Sequence, residues 1–402
     1  VRPTSPAVPK ETGEQRTVIA RPADRREQID RHAAELFAVH GFPATRLEDI
    51  ASAVGFTARA LYRHYPSKKA LLFHLTHRGQ DAYLDALTDD PDVTEPGDRL
   101  LRALSRLADV MQADHTHALL WQREARHLDP DQRAVIRARV VDIAAGLATF
   151  IAESRQETSE TSELRAWAVL AVLASTGHQT PPARGKRTRD RLLTVSERIA
   201  EAPALCDTAE GALRLFRNQP VLTSRREQTL VAAARLFRRR GFALVSVEDI
   251  GQSIGILGPS IYHHFDSKQS ILAALVHRLN EWLSLAVLDA QGRGSDAAES
   301  VEILTRSYVE FALNFPDLVS VTLTEALYLA EEDAELNRVR ASLFTAWAAM
   351  LCQARPELTE ATAILLVHAA TSMIDDLVRI PHLRNENLPT RIAGLAHLIL
   401  RS

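Results

Sequence analysis

Two runs of side chains in this 402-residue chain carry groups suited to anions and to the edges of bases. The first run holds Thr45, Arg46, Thr57, Arg59, Tyr62, Arg63, His64 and Lys68; the second holds Ser246, Ser260, Tyr262, His263, His264 and Lys268. Hydroxyls, guanidinium groups and an ammonium donate to phosphate oxygens, and a guanidinium also fits guanine O6 and N7 in a two-pronged contact. Catalytic chemistry has less to stand on. The sequence contains no Gly-rich phosphate loop, nucleophile elbow or His-Glu-x-x-His pattern, so no enzyme activity and no cofactor are expected. His74-x-x-His77 and His115-x-His117 have spacings open to a metal, but no recognised set of acidic or cysteine partners accompanies them, and no metal site is expected. Cys206 and Cys352 are the only cysteines and read as ordinary residues.

The elements that must position these groups occur twice. Residues 25–74 and 225–274 align without a gap and share 19 identities, among them Gly41/Gly241, Glu48-Asp49-Ile50/Glu248-Asp249-Ile250, Gly55/Gly255, Tyr62/Tyr262 and Ser67-Lys68/Ser267-Lys268. In the first copy Ile29, Ala33, Leu36 and Phe37 mark one face of a helix that Gly41 can end with a left-handed cap. Thr45 and Glu48 have capping-box spacing before a short second helix marked by Leu47, Ile50, Ala51 and Val54. After Gly55 a third helix turns Ala58, Leu61 and Tyr65 one way and Arg59, Tyr62 and Arg63 the other. Two short helices joined by a glycine turn form a helix-turn-helix, whose second helix can enter the major groove of DNA.

Between and after these heads the periodicity is helical throughout, so the chain reads as all-α. The expected organisation is a disordered arm over 1–22, a head over 23–68, a helical body over 69–202, a linker over 203–222, a second head over 223–268 and a second body over 269–402. Single helices are expected over 118–128 and 318–331, with breaks at Asp90-Pro91, Asp129-Pro130 and Pro181-Pro182 and a helical turn at Ala212 to Phe216. Residues 21–69 carry nine Lys or Arg against six Asp or Glu, and 217–269 carry eight against four, within a net charge of -3. Two basic modules on an acidic body would meet phosphates only through the modules. With no run of 18 apolar residues and no apolar leader, a cytoplasmic protein without a membrane span is expected.

The pattern Gly41-Phe42, Glu48-Asp49-Ile50-Ala51, Gly55-Phe56-Thr57, Ala60-Leu61-Tyr62-Arg63-His64-Tyr65 and Lys68 resembles the TetR family of bacterial transcriptional regulators. The second copy repeats it with Gly241-Phe242, Ser246, Glu248-Asp249-Ile250, Gly255-Ile256, Ser260-Ile261-Tyr262-His263-His264-Phe265 and Lys268. The whole chain looks like the tandem members of that family known from mycobacteria and relatives. Leu120 to Arg126 and Ser162 to Ala168 are similar to the tandem regulator of a mammalian-cell-entry lipid-transport operon. The resemblance implies two tandem units, each a three-helix DNA-binding head and a helical body for pairing and for a small ligand. It also implies a double-stranded DNA operator and an apolar effector of lipid, acyl or sterol type. Trp121, Arg123 and Glu124 in one body, with Glu325 and Tyr328 in the other, are the expected polar groups at such a cavity.

The heads depart from each other where they would face DNA. The first gains Arg46 and Arg59; the second has Leu257 in place of a hydroxyl, then Gly258-Pro259, and no permanent cation on its outward face. Unlike heads imply an intramolecular pseudo-dimer on an asymmetric operator, because only identical heads demand a palindrome. The alternative is a lipid-binding or adaptor protein in which only the first helix-turn-helix meets DNA.

Overall fold

The computed structural model describes residues 22–178, 183–203, 213–216 and 222–402, and every regular element among them is helical. The expected arm (apart from Pro22), the break at Pro181-Pro182, Cys206 and most of the linker lie outside the described residues. The first head is α1 (Pro22–His40), α2 (Leu47–Ala53) and α3 (Ala58–His64). Its small core gathers Ile29, Ala33, Phe37, Ile50 and Leu61, all buried, one apolar stripe from each helix. The first body is α4 (Lys68–Ala86), α5 (Pro96–Ala113), α6 (Thr116–Leu119), α7 (Pro130–Arg155), α8 (Ser159–Ala174) and α9 (Lys186–Glu201). The second head is α10 (Arg225–Arg240), α11 (Val247–Ser253) and α12 (Gly258–Ile261). The second body is α13 (Lys268–Arg293), α14 (Ala297–Asn314), α15 (Pro316–Thr324), α16 (Glu335–Ala354), α17 (Glu360–Leu377) and α18 (Leu388–Leu400).

The two bodies pack on each other through α8 against α17 and α9 against α18. Ala166, Val169 and Ala171 of α8, and Leu366, Ala369 and Ala370 of α17, are buried, and the small side chains let the helices approach closely. Polar contacts close the rim. His382 Nε2 lies 2.8 Å from Glu163, and Glu160 accepts from Asn385 at 2.9 Å and from Arg391 at 2.9 Å.

Several boundaries differ from the sequence reading, for physical reasons. Over 118–128 there is no single helix: α6 widens into a π-helical turn at Leu120–Glu124 and a tight turn at Ala125–His127. The widened turn brings two sequence neighbours, Arg123 and Glu124, to bear on the first head together, which the ordinary helical pitch would separate. Over 318–331, α15 ends at Thr324 and short turns follow at Ala326–Tyr328 and Glu331–Asp333. Residues 213–216 are not helical. Side chains of α14 supply their backbone partners instead: Glu310 accepts from Arg214 N at 2.9 Å, Asn314 accepts from Phe216 N at 2.8 Å, and the Asn314 amide donates to Arg214 O at 2.9 Å. α13 is by length and composition long enough and apolar enough to cross a membrane. Its Leu272, Leu275, Leu279 and Leu283 are instead buried in a face packed against α14 and α16.

Candidate nucleic-acid interface

In the first head the third helix turns Leu61 into the core and leaves Arg59, Tyr62, Arg63 and His64 outward; Tyr62 is 51% exposed. Thr57 caps this helix, its hydroxyl accepting from Ala60 N at 3.3 Å. Arg59 and Arg63 are exposed and have no carboxylate partner among the described residues, so both guanidinium groups stand free for base edges or phosphates. Arg46 is the residue before α2 and is also exposed. The second head has the same plan with different chemistry. Ser260 faces outward on a helix of only four residues, Tyr262, His263 and His264 are exposed in the turn that follows it, Tyr262 is 50% exposed, and Leu257 at the capping position is 77% exposed.

The expected capping box at Thr45 and Glu48 sits one residue later. Asp49 accepts from Arg46 N at 2.8 Å, but an arginine side chain has no acceptor to return the bond, so the box is half made. In the second head it is complete: Asp249 accepts from Ser246 N at 2.8 Å while the Ser246 hydroxyl accepts from Asp249 N at 3.0 Å. Those bonds, Ser246 N first and its hydroxyl next, with Arg240 beside them, hold the Asp249 carboxyl down at about 2.

Three residues expected at the interface have structural partners instead. Thr45 is buried, and its hydroxyl donates to Leu36 O at 3.2 Å and Gly41 O at 2.9 Å, closing the turn after α1. Lys68 donates to Phe42 O at 2.7 Å and Thr45 O at 2.8 Å, and its ammonium lies 4.3 Å from the centre of the Phe42 ring. Lys268 does the same with Phe242 O at 2.8 Å, Val245 O at 2.8 Å and the Phe242 ring at 4.3 Å. Burial pulls both lysines below their ordinary range, against the opposing pull of Glu124 and Asp49 on Lys68 and of Asp249 on Lys268. A lysine half-sunk against carbonyls and a ring fastens the loop at the start of the body, which leaves less of it for phosphate.

The five residues expected at an effector cavity form a joint between heads and bodies. Glu124 is fully buried and accepts from Phe42 N at 3.0 Å; Arg123 pairs with Glu124 and donates to Phe37 O at 2.8 Å and Ala38 O at 2.6 Å, the last carbonyls of α1. Trp121 packs on the core of the first head. In the second unit Glu325, also fully buried, accepts from Phe242 N at 3.0 Å. Its other partners are Thr324 at 2.6 Å and Arg126 of the first unit at 2.5 Å. The sequence reading missed Arg126 and His127. A duplication signal was there, since His127 and Tyr328 stack alike on the phenylalanine of their own head, with ring centres 5.4 Å and 5.5 Å apart.

Each of these turns also meets the opposite head. A Cβ on Gly41 would collide with the Tyr328 hydroxyl, and one on Gly241 would lie 3.0 Å from Arg126 Nε. Both glycines hold φ near +80° (81° and 84°), so the left-handed turn and the close approach demand the same residue. Burial, with Arg126, Lys68 and Arg123 nearby, drives the His127 imidazole down to about 3, and burial with Glu124 pushes the Tyr328 phenol well up. Both rings therefore stand neutral at neutral pH.

The sequence model of the family described as "Bacterial regulatory proteins, tetR family" matches residues 31–75 and 230–275, one stretch in each head. Part of the chain is 42% identical over 60 residues to the HTH-type transcriptional repressor KstR2 of Mycolicibacterium smegmatis, covering 15% of this chain and 29% of that protein. The KstR2 repressor of Rhodococcus jostii is 37% identical over 87 residues, covering 21% and 43%. These matches span less than half of either relative. A solved structure described as ketosteroid transcriptional regulator KstR2 of Mycobacterium tuberculosis aligns with a TM-score of 0.39 at 24% identity, over 44% of this chain and 95% of that one. Each head thus carries a match to the sequence model of that family, at the front of a helical unit.

Proposed function

We propose that this chain is a sequence-specific DNA-binding transcriptional regulator, acting as a repressor, whose two units pair within one polypeptide on an asymmetric operator. The observation that carries this reading is the joint. Each head is fastened to its own body by one buried carboxylate and also meets the turn of the opposite body. Such a frame fixes the separation of two heads, which is what two half-sites require. The repressor names of the relatives support the sign of regulation.

The effector in this reading is a small apolar molecule of lipid, acyl or sterol type. Its polar end would look for buried groups in the bodies rather than in the joint. Tyr308 donates to Asp375 at 3.1 Å beside Arg340 in the second body, and burial lifts the Asp375 carboxyl to about 8. The first body holds the Tyr83 hydroxyl and the Trp167 indole N–H buried without partners.

Footprinting of the purified chain on DNA upstream of its own coding region tests the proposal. Two unequal protected half-sites, both lost in Arg63→Ala, support it. A single protected half-site favours the adaptor reading, for which the exposed Leu257 is the relevant observation. Absence of protection at any salt concentration overturns it.

A further inference from the structure

The turn that leads into the recognition helix keeps its backbone hydrogen bonds in the second head but holds a leucine outward where the first head has a threonine. Where the first head has Ala51, the second has Gly251, and a Cβ there would lie 2.8 Å from Ile256 O and 3.2 Å from Gly258 N. The backbone of the turn is seated so directly on α11 that alanine no longer fits. Gly258, buried at the start of α12, likewise leaves only 3.2 Å between a Cβ and the Glu248 carboxylate. Ile261 is fully buried behind it, and Leu257 stands 77% exposed at the position where the likewise exposed Thr57 caps the helix in the first head. Pro259 and Tyr262 continue the exposed face.

The first turn of a recognition helix is the part that reaches base edges in the major groove. An apolar side chain there has no hydrogen bond to offer. The apolar group that the major groove presents to it is the 5-methyl of thymine. We propose that the second head reads thymine methyl groups through Leu257, with Pro259 and Tyr262 beside it, whereas Arg59 and Arg63 of the first head read guanine. The proposal rests on the reading of both heads as DNA-binding, and gives the two half-sites different chemistry. Discrimination then comes from desolvated methyl contact in one half-site and from charge-assisted hydrogen bonds in the other.

The test uses the full chain and the duplex recovered by footprinting. Thymines of the second half-site are replaced by deoxyuridine, which removes the methyl and leaves base pairing unchanged. Affinity is expected to fall about fourfold for each contacted methyl, the effect of leaving one buried methyl-sized group out of contact. The same replacement in the first half-site should change nothing. Leu257→Ala, at a position exposed enough to leave folding intact, should bind the thymine and uracil duplexes alike while still protecting the first half-site. If both half-sites are protected and affinity is indifferent to uracil, the thymine inference is overturned and the pseudo-dimer stands. If the second half-site is never protected, both fall, and the Leu257 face belongs to a protein contact.

Discussion

The two heads differ most on the side that faces away from the bodies and least on the side that faces the joint. Phe42 and Phe242, Lys68 and Lys268, and Glu124 and Glu325 make the same bonds at distances that agree within about 0.1 Å. On the outward side Arg59 answers to Pro259, Arg63 to His263, Thr57 to Leu257 and Arg46 to Ser246. Duplication has thus kept the phenylalanine, lysine and carboxylate of the joint in both units, together with the outward pairs Tyr62/Tyr262 and His64/His264, and has changed the other outward groups. A buried group that loses its partner is penalised at once, whereas an exposed one is judged only by what it binds.

The sharpest way to break this comparison is at the buried carboxylates. Glu124→Ala and Glu325→Ala each leave an amide N–H and a guanidinium without their acceptor, and each is expected to cost about 3–5 kcal/mol in chemical denaturation. The two losses should differ in place. Glu124 is paired with Arg123 of its own unit and Glu325 with Arg126 of the other. Hydrogen exchange should therefore quicken at the Phe42 amide in the first variant, and in the second at the Phe242 amide together with the turn around Arg126. An unchanged denaturation midpoint in either variant would show that the carboxylate is not needed.

Lys68 separates fastening from DNA contact. If the ammonium holds the loop carbonyls, Lys68→Ala should lower stability by about 1.5–3 kcal/mol, the range for hydrogen bonds to a charged group, and leave the salt dependence of DNA binding as it was. A shallower salt slope at unaltered stability would return Lys68 to the phosphate. Arg63→Ala should do the reverse. It should weaken operator binding by about 1–3 kcal/mol without moving the denaturation midpoint, while His263→Ala should weaken it less. Equal losses from the two variants on a palindromic site would remove the asymmetry altogether.

Much of the fold was legible because helical period, glycine stops and a gapless duplication agree with one another. Ile29, Ala33, Phe37 and Leu61 read as core from spacing alone and are core. The joint was not legible. Arg123 and Glu124 are charged, and charge in a helical pattern reads as surface or pocket; only the π-helical turn, which no local propensity announces, brings both against the first head. The fastening bonds of Lys68 were hidden for a related reason. A lysine after a capping serine at a helix start looks like an anion site, and nothing in the sequence indicates that its ammonium folds back 4.3 Å above Phe42.

The smallest expected effect is at the capping residues before the second helices. Ser246 completes a capping box and Arg46 cannot, so the first head lacks a bond that the second one has. Arg46→Ser should therefore stabilise the first head by about 0.5–2 kcal/mol. Ser246→Ala should cost the second head a similar amount, and as Asp249 is held at about 2 its share of that stability is present above pH 4 and lost as pH falls through 2. If the arginine stands at this position for a phosphate, the stabilised Arg46→Ser variant will bind its operator more weakly and with a salt slope reduced by about one. Tighter binding by the better-capped head would mean that Arg46 touches no phosphate, and that the first head gains its grip from Arg59 and Arg63 alone.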